Sequence, residues 1–217
     1  MENRSVYLFD FDGTLVDSMP SWAGKMLHVL QTPGVEPPAG LIQTITPLGD
    51  AGTARYFREE LGVDLSDAEM FARMDEYALP KYRNEIAAKE GVADYLRALR
   101  RRGASIALLT ASPHRMFEPC LARLGLTELF DALWSCDDFG LVKSDPAIYR
   151  AALARLGASA EQAYFFDDNL TALKTAASAG LGVIGVYDAS SASCEDAIRA
   201  VSDRYIRSFS ELLSEKS

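Results

Sequence analysis

The feature that most constrains the fold of this chain is a short apolar run that recurs and ends each time in a polar residue. The runs are VYLF before Asp10, SIALL before Thr110 and AYFF before Asp167, and GVIGVY from Gly182 to Tyr187 is a fourth. Each run is continuous rather than alternating, which is typical of strands that are covered on both faces, as in a parallel sheet. We therefore expect a buried parallel sheet.

Segments with helical spacing separate these runs. GVADYLRALRRRG ends at Gly103, SDPAIYRAALARLG offers Asp145 as an N-cap and ends at Gly157, and NLTALKTAASAG ends at Gly180. Such caps are typical helix boundaries. Because strands and helices alternate, the sequence predicts an α/β domain with a doubly wound, Rossmann-like parallel sheet.

The pattern changes between residues 16 and 89, where no convincing strand is present. SMPSWAGKMLHVL, DAGTARYFREELG and SDAEMFARMDEYALPKYRNEI predict helices, the last with a capping box from Ser66 to Glu69, and PGVEPPAG and TPLG are turn-rich links. We expect a small helical domain over residues 16–89, inserted into an α/β core domain formed by residues 1–15 and 90–217. Because the insertion directly follows the first strand, we expect it beside the end of that strand.

Composition and charge argue against several classes of protein. The 217 residues are 48% hydrophobic and 24% charged, as in ordinary folded proteins. The net charge of -9 opposes binding to nucleic acids or anionic membranes. No segment approaches the roughly 20 apolar residues of a membrane span, and the N-terminus lacks the apolar core of a secretory signal. We expect a soluble, cytoplasmic protein, and the acidic surface favours a monomer.

The cysteine pattern indicates no metal site or disulfide framework. Cys120, Cys136 and Cys194 are widely spaced and form no CxxC pair. Isolated cysteines of this kind are typical of reduced thiols in the cytosol.

The two aspartates after the first run need a partner. Asp10 and Asp12 start on one face of the strand end, because residues i and i+2 point to the same side, and Gly13 then turns the chain. Two close carboxylates repel each other unless one is protonated or a cation lies between them. Asp167 and Asp168 add oxygens from another strand end, where ligands of open parallel sheets bind. Oxygen ligands without His or Cys favour Mg²⁺, and such a site suits phosphoryl transfer to a carboxylate nucleophile.

The polar residues belong to four motifs in a fixed order. These are DFDGT from Asp10 to Thr14, LLTAS around Thr110, LVKSDPAIY around Lys143 and FFDDNLTALKTAASAG around Asp168. They resemble the motifs of the haloacid dehalogenase-like hydrolase superfamily over roughly residues 6–15 and 90–186. The resemblance implies that the helical insertion is a cap domain like that of phosphoglycolate phosphatase-like enzymes.

The resemblance implies a role for each matched residue. Asp10 matches the nucleophile that attacks phosphorus, and Asp12 matches the general acid that then activates water. Thr110 and the backbone of Ala111 match groups that bind phosphoryl oxygens, and Lys143 matches the lysine that neutralises the phosphoryl group.

The resemblance also implies the metal ligands. Asp168, the side chain of Asp10 and the backbone carbonyl of Asp12 match the Mg²⁺ ligands, while Asp167 stands where relatives often have Glu and binds directly or through water. Either Asp167 or Asp168 is also a candidate cap for the helix that follows. The chain departs from the family pattern at KSDP, where KPDP is common, and at Ala172, where relatives often have Gly.

The leading interpretation is a Mg²⁺-dependent phosphatase that hydrolyses a small phosphorylated metabolite through an aspartyl-phosphate. Mutases similar to β-phosphoglucomutase share the motifs, but they have a cap His and a cap Arg where an ungapped register places Trp22 and Gly52. Dehalogenases and phosphonatases lack the second Asp, so Asp12 counts against both. A protein that binds a phosphorylated metabolite without catalysis is the remaining alternative.

Overall fold

The computed structural model describes residues 4–31, 33–45 and 48–213, apart from the side chain of Gln43. The chain divides into two compact units. The α/β unit is Met1–Asp17 with Ile86–Ser217, and the helical unit is Ser18–Glu85.

The boundaries of the units differ by a few residues from those predicted after residue 15 and before residue 90. Val16 forms an antiparallel bridge with Ala88, and the Asp17 N–H donates to the Ala87 carbonyl at 3.0 Å. Because the outgoing and returning segments pair with each other, both belong to the α/β unit. The apolar patterns of strands and helices carry no signal for this isolated pairing.

In its described part the helical unit has α1 Met19–Gln31, α2 Leu41–Ile45, α3 Gly49–Glu59 and α4 Asp67–Asn84. The three predicted helices are present, and α2 is an addition to them. Ser66 and Glu69 form the predicted capping box of α4. Within the predicted link TPLG, Thr46 and Pro47 lie outside the described residues.

A six-stranded sheet forms the centre of the α/β unit. Its strands are β1 Val6–Phe9, β2 Ser105–Thr110, β3 Ala132–Ser135, β4 Ala163–Asp167, β5 Gly182–Val186 and β6 Arg204–Ile206. They lie in the order β3-β2-β1-β4-β5-β6, and all neighbouring pairs are parallel. The predicted doubly wound α/β fold is confirmed.

Helices follow or connect these strands. They are α5 Val92–Arg101, α6 His114–Leu124, α7 Pro146–Leu156, α8 Leu170–Ser178, α9 Glu195–Val201 and α10 Ser210–Leu213. The N-cap of α7 is Asp145, whose side chain accepts from the Ala147 N–H, and its C-cap is Gly157 in the left-handed region. Both caps agree with the sequence prediction.

Both faces of the central strands β1 and β4 are buried. Val6 and Leu8 belong to one core with Phe165, while the Phe9 ring stacks on that of Phe166 with centroids 4.5 Å apart. Successive side chains of a strand point to opposite faces. The apolar runs are uninterrupted because each face of the strand packs against other residues.

The cysteines are all free thiols. Cys120 and Cys136 are buried in the α/β unit, and Cys194 is exposed in the turn before α9. Among the helices in the described ranges, we find none with the length and hydropathy needed to cross a membrane.

Candidate active site

The candidate site lies where the strand order of the sheet reverses. β1 has β2 and β3 on one side and β4 to β6 on the other. Asp10 directly follows β1 and Asp167 ends β4, and the Asp10 N–H donates to the Phe166 carbonyl at 2.9 Å. Ligands of doubly wound proteins bind at this switch point, beyond the carboxyl ends of the strands.

A tight turn after β1 fixes the backbone that carries the first aspartates. The Phe11 carbonyl accepts from the N–H groups of Thr14, Leu15 and Val16 at 3.3, 2.9 and 3.2 Å. Gly13 has a φ of +72°, and a Cβ at this position would lie 2.7 Å from an oxygen of Asp168. No other residue can bring the backbone so close to that carboxylate.

Three carboxylates and one ammonium group meet in this site. Among the described residues, Asp10, Asp167 and Asp168 are buried, and each offers an oxygen within 4.8 Å of the others. Lys143 Nζ lies 2.6 Å from Asp10 Oδ1 and 2.8 Å from Asp167 Oδ2. The side chain of Asp12 is not a member of this acidic cluster.

Burial and neighbouring charges shift the pKa values of three groups in the cluster. Burial raises the pKa of Asp10 to about 7. The Lys143 charge lowers this pKa, while the charges of Asp167 and Asp12 raise it further. Burial and the Asp167 charge raise the pKa of Asp168 well above its usual range. Burial opposes the positive charge of Lys143, but Asp10 and Asp167 outweigh it and raise the pKa of Lys143. The site has more negative than positive charge.

A tyrosine supports the loop that carries Lys143. The Tyr149 hydroxyl, on α7, lies within hydrogen-bond distance of the Lys143 carbonyl at 3.0 Å and of the Ala172 carbonyl at 3.1 Å. Ala172 is on α8, where relatives often have Gly. One hydroxyl therefore links the loop of the third motif to the helix of the fourth.

Sequence analysis proposes Asp167 or Asp168 as a cap for the helix after β4, and this prediction is wrong. The N-cap of α8 is Asn169, whose side chain accepts from the N–H groups of Thr171 and Ala172. Asp167 instead accepts from the Asn169 N–H at 2.7 Å and pairs with Lys143. Asp167 and Asp168 are thus both members of the acidic cluster, and a neutral amide caps the helix.

The second motif forms the loop between β2 and α6. Thr110 ends β2 and is buried, and its Oγ1 accepts from the Ser112 N–H at 3.1 Å. The Ser112 hydroxyl donates to the Asp12 carboxylate. Ala111, which lies between Thr110 and Ser112 in the chain, is exposed. The structure therefore links Asp12 to the loop of Thr110 through a residue to which the sequence analysis assigned no role.

Sequence reasoning also missed Thr14. Its hydroxyl lies 3.4 Å from Asp10 and 3.5 Å from Asp168, at the long end of the hydrogen-bond range. Both Thr14 and Ser112 stand inside motifs that the sequence analysis quoted. Only the folded geometry places them next to carboxylates.

We expect His114 to give the stability of the protein a pH dependence. Its ring nitrogens lie 2.7 Å from Glu118 and 2.8 Å from Asp138. Partial burial disfavours the charged ring, but the hydrogen bonds to both carboxylates outweigh it and raise the pKa of His114. The charged His114 ring therefore stabilises the folded protein below the ordinary pKa of 6.5, and this stabilisation is lost as the pH rises through the raised pKa.

Urea unfolding of the wild type and of His114→Gln at several pH values measures this effect. We expect a difference of about 0.5 kcal/mol near pH 6, because exposed ion pairs contribute little, and almost none above about pH 9. Glu118→Gln in the otherwise native chain should reduce the pH dependence of the free energy of unfolding. An equal difference at every pH would contradict the assignment.

Comparisons with known proteins identify the family of this chain. A family model described as haloacid dehalogenase-like hydrolase matches residues 5–180. A phosphoglycolate phosphatase of Pseudomonas putida is 30% identical over 186 residues, 82% of this chain and 68% of that protein. One of Salmonella typhi is 29% identical over 212 residues, 86% of this chain and 82% of that protein.

Solved structures give the same result for the fold. CbbY from Rhodobacter sphaeroides in complex with phosphate is 27% identical, with a TM-score of 0.84 and coverage of 96% of both chains. A mutant of CbbY in complex with xylulose-(1,5)bisphosphate has a TM-score of 0.85 at 26% identity, again over 96% of both chains. The resemblance seen in the four motifs is confirmed: this chain belongs to the haloacid dehalogenase-like hydrolase family.

Proposed function

We propose that this hydrolase is a Mg²⁺-dependent phosphatase that cleaves a small phosphorylated metabolite through an aspartyl-phosphate on Asp10. The observation that carries the proposal is the position of Asp10. It lies at the switch point of the sheet with Lys143 at 2.6 Å, next to two further carboxylates. This arrangement holds one carboxylate beside a positive charge that would neutralise the oxygens of a phosphoryl group.

The donor set fits Mg²⁺. Within the described ranges, three buried carboxylates lie with one ammonium group, and this leaves excess negative charge that a divalent cation would balance. All donors are oxygens, as this cation prefers. Asp10 and Asp168 would hold it with the Asp12 carbonyl, and Asp167 directly or through water. When bound, the ion supplies charge neutralisation at the phosphoryl oxygens.

The reaction needs two steps at phosphorus. An oxygen of Asp10 attacks, the bond to the leaving oxygen breaks, and Asp12 donates its proton to that oxygen. Asp12 then accepts a proton from water, which attacks the phosphorus of the aspartyl-phosphate. The bond between phosphorus and the Asp10 oxygen breaks, which releases inorganic phosphate and restores the Asp10 carboxylate. Lys143, the Thr110 hydroxyl and the Ala111 N–H would bind phosphoryl oxygens throughout.

The relatives support a small metabolite as substrate. They include phosphoglycolate phosphatases and a protein solved with phosphate and with xylulose-(1,5)bisphosphate. A mutase has less support, because Trp22 and Gly52 stand where mutases have His and Arg. At Gly52 even a Cβ would lie 2.8 Å from the Leu48 Cβ.

The test is phosphate release from a panel of sugar phosphates, phosphoglycolate and nucleotides. We expect release that EDTA removes and that added Mg²⁺ restores. Conversion of a hexose 1-phosphate to its 6-phosphate without release would instead indicate a mutase. A folded, Mg²⁺-loaded protein with neither activity would contradict the proposal and favour a binding protein.

A further inference from the structure

We propose that Ser112 is a positioning residue that holds the carboxylate of Asp12 in the orientation needed to protonate the leaving oxygen. The inference rests on the proposed function. The first observation that supports it is the hydrogen bond from the Ser112 hydroxyl to Asp12 Oδ2. The bond uses Oδ2 of Asp12, so the proton that a general acid donates would be carried by the other oxygen, Oδ1.

The backbone on the Asp12 side is already fixed. The turn that follows β1 is closed by the Phe11 carbonyl, and the Gly13 N–H donates to the Val16 carbonyl at 3.0 Å. Asp12 itself forms a backbone bridge with Val16. What remains to be set is the rotation of the Asp12 side chain, because a carboxylate rotates broadly about its last bond.

The backbone on the Ser112 side is fixed as well. Its N–H donates to Thr110 Oγ1 at 3.1 Å, directly after β2. Further along, the ring of Phe117 on α6 contacts that of Phe11 edge to face, with centroids 6.1 Å apart. The turn after β1 therefore contacts both α6, through this aromatic pair, and the loop before α6, through the Ser112 hydroxyl, so Ser112 lies between two fixed elements.

The hydrogen bond separates the two catalytic carboxylates by role. Asp10 lies in the acidic cluster with Lys143, whereas the side chain of Asp12 lies outside that cluster, with one oxygen held by Ser112. A general acid must be within hydrogen-bond reach of the oxygen that it protonates. Without the Ser112 hydroxyl, Asp12 would sample other rotations, and fewer of them would place its proton at the leaving oxygen.

A leaving-group comparison tests this role. Ser112→Ala removes the donor, Ser112→Cys replaces it by a weak one of similar size, and Ser112→Thr restores a hydroxyl. The substrates are an alkyl phosphate, whose alkoxide needs a proton to leave, and an activated aryl phosphate, whose phenolate does not. The parameter is kcat/KM, which reports the steps up to departure of the leaving group.

We expect Ser112→Ala and Ser112→Cys to lower kcat/KM for the alkyl phosphate about tenfold or more, and for the aryl phosphate less than about threefold. Ser112→Thr should recover most of the loss. Ser202→Ala is the matched control, since it removes a serine hydroxyl that donates to the Ile198 carbonyl at 2.7 Å. Ser202→Ala should leave kcat/KM unchanged for both substrates.

Equal losses for both substrates would overturn the proposal and assign Ser112 to phosphate binding or to the fold. An unchanged or increased rate for the alkyl phosphate in both Ala and Cys variants would overturn it too. Absence of turnover by the wild type with every phosphomonoester would be a different result, because it would refute the proposed function and this inference with it. Circular dichroism and the Tm show whether each variant is folded.

Discussion

Asp10→Asn is expected to abolish phosphate release and, in the absence of metal, to raise the Tm of the protein. The rate should fall by at least about three orders of magnitude, since the amide cannot form the aspartyl-phosphate. The stability should change in the opposite direction. Asp10 is buried and shares one ammonium group with Asp167, and the neutral amide removes the cost of burying its charge.

The expected gain in the free energy of unfolding is about 1 kcal/mol, which corresponds to a Tm increase of roughly 2–4 °C. Phosphate release and calorimetry in EDTA measure the two effects on one preparation. Asp94→Asn is the matched control, because the Asp94 side chain is 72% exposed. Retained turnover in Asp10→Asn would eliminate Asp10 as the nucleophile, and a lowered Tm would show that burial of the Asp10 charge does not destabilise the metal-free protein.

Lys143→Met should reduce both activity and stability. The variant leaves the carboxylates of Asp10 and Asp167 buried without the ammonium group that lies 2.6 and 2.8 Å from them. Breaking a buried ion pair on one side typically costs about 3–5 kcal/mol. We expect a loss of about 3 kcal/mol in the free energy of unfolding and at least a hundredfold loss in kcat/KM.

A compensating variant separates the two effects. Lys143→Met with Asp167→Asn has the same formal charge in the cluster as the native chain, and the amide that replaces the Asp167 carboxylate keeps an oxygen for the Asn169 N–H. The double variant should recover much of the stability but none of the activity. Lys174→Met, at an exposed position on α8, should change the stability by less than about 0.5 kcal/mol. A double variant as unstable as Lys143→Met would contradict the charge-balance account.

Much of the fold was predictable because burial on both faces leaves a strong pattern. β1, β2, β4 and β5 lie at or near the centre of the sheet and appear as continuous apolar runs. β3 and β6 were missed for a physical reason. They are the edge strands, and most of their residues are only partly buried, so their apolar runs are no longer than ALW in β3 and YI in β6.

The site was predictable to the level of its charged residues. Asp10, Asp167 and Asp168 come together, as the ends of parallel strands predict, and Lys143, which the family resemblance pointed to, joins them from a loop. The hydroxyl contacts of the site and the cap of α8 were not predictable in the same way. Asn169 caps α8 and Ser112 reaches Asp12 because of local backbone geometry. A pattern of residue types does not specify that geometry.

The distribution of the thiols makes the protein convenient for site-specific labelling. Burial raises the pKa of the Cys120 and Cys136 thiols to about 11 each, so neither is present as the reactive thiolate near neutral pH. Cys194 is exposed before α9. A maleimide dye should therefore attach to the native chain at one position, and a fluorescent reporter of unfolding can be made without removing any cysteine.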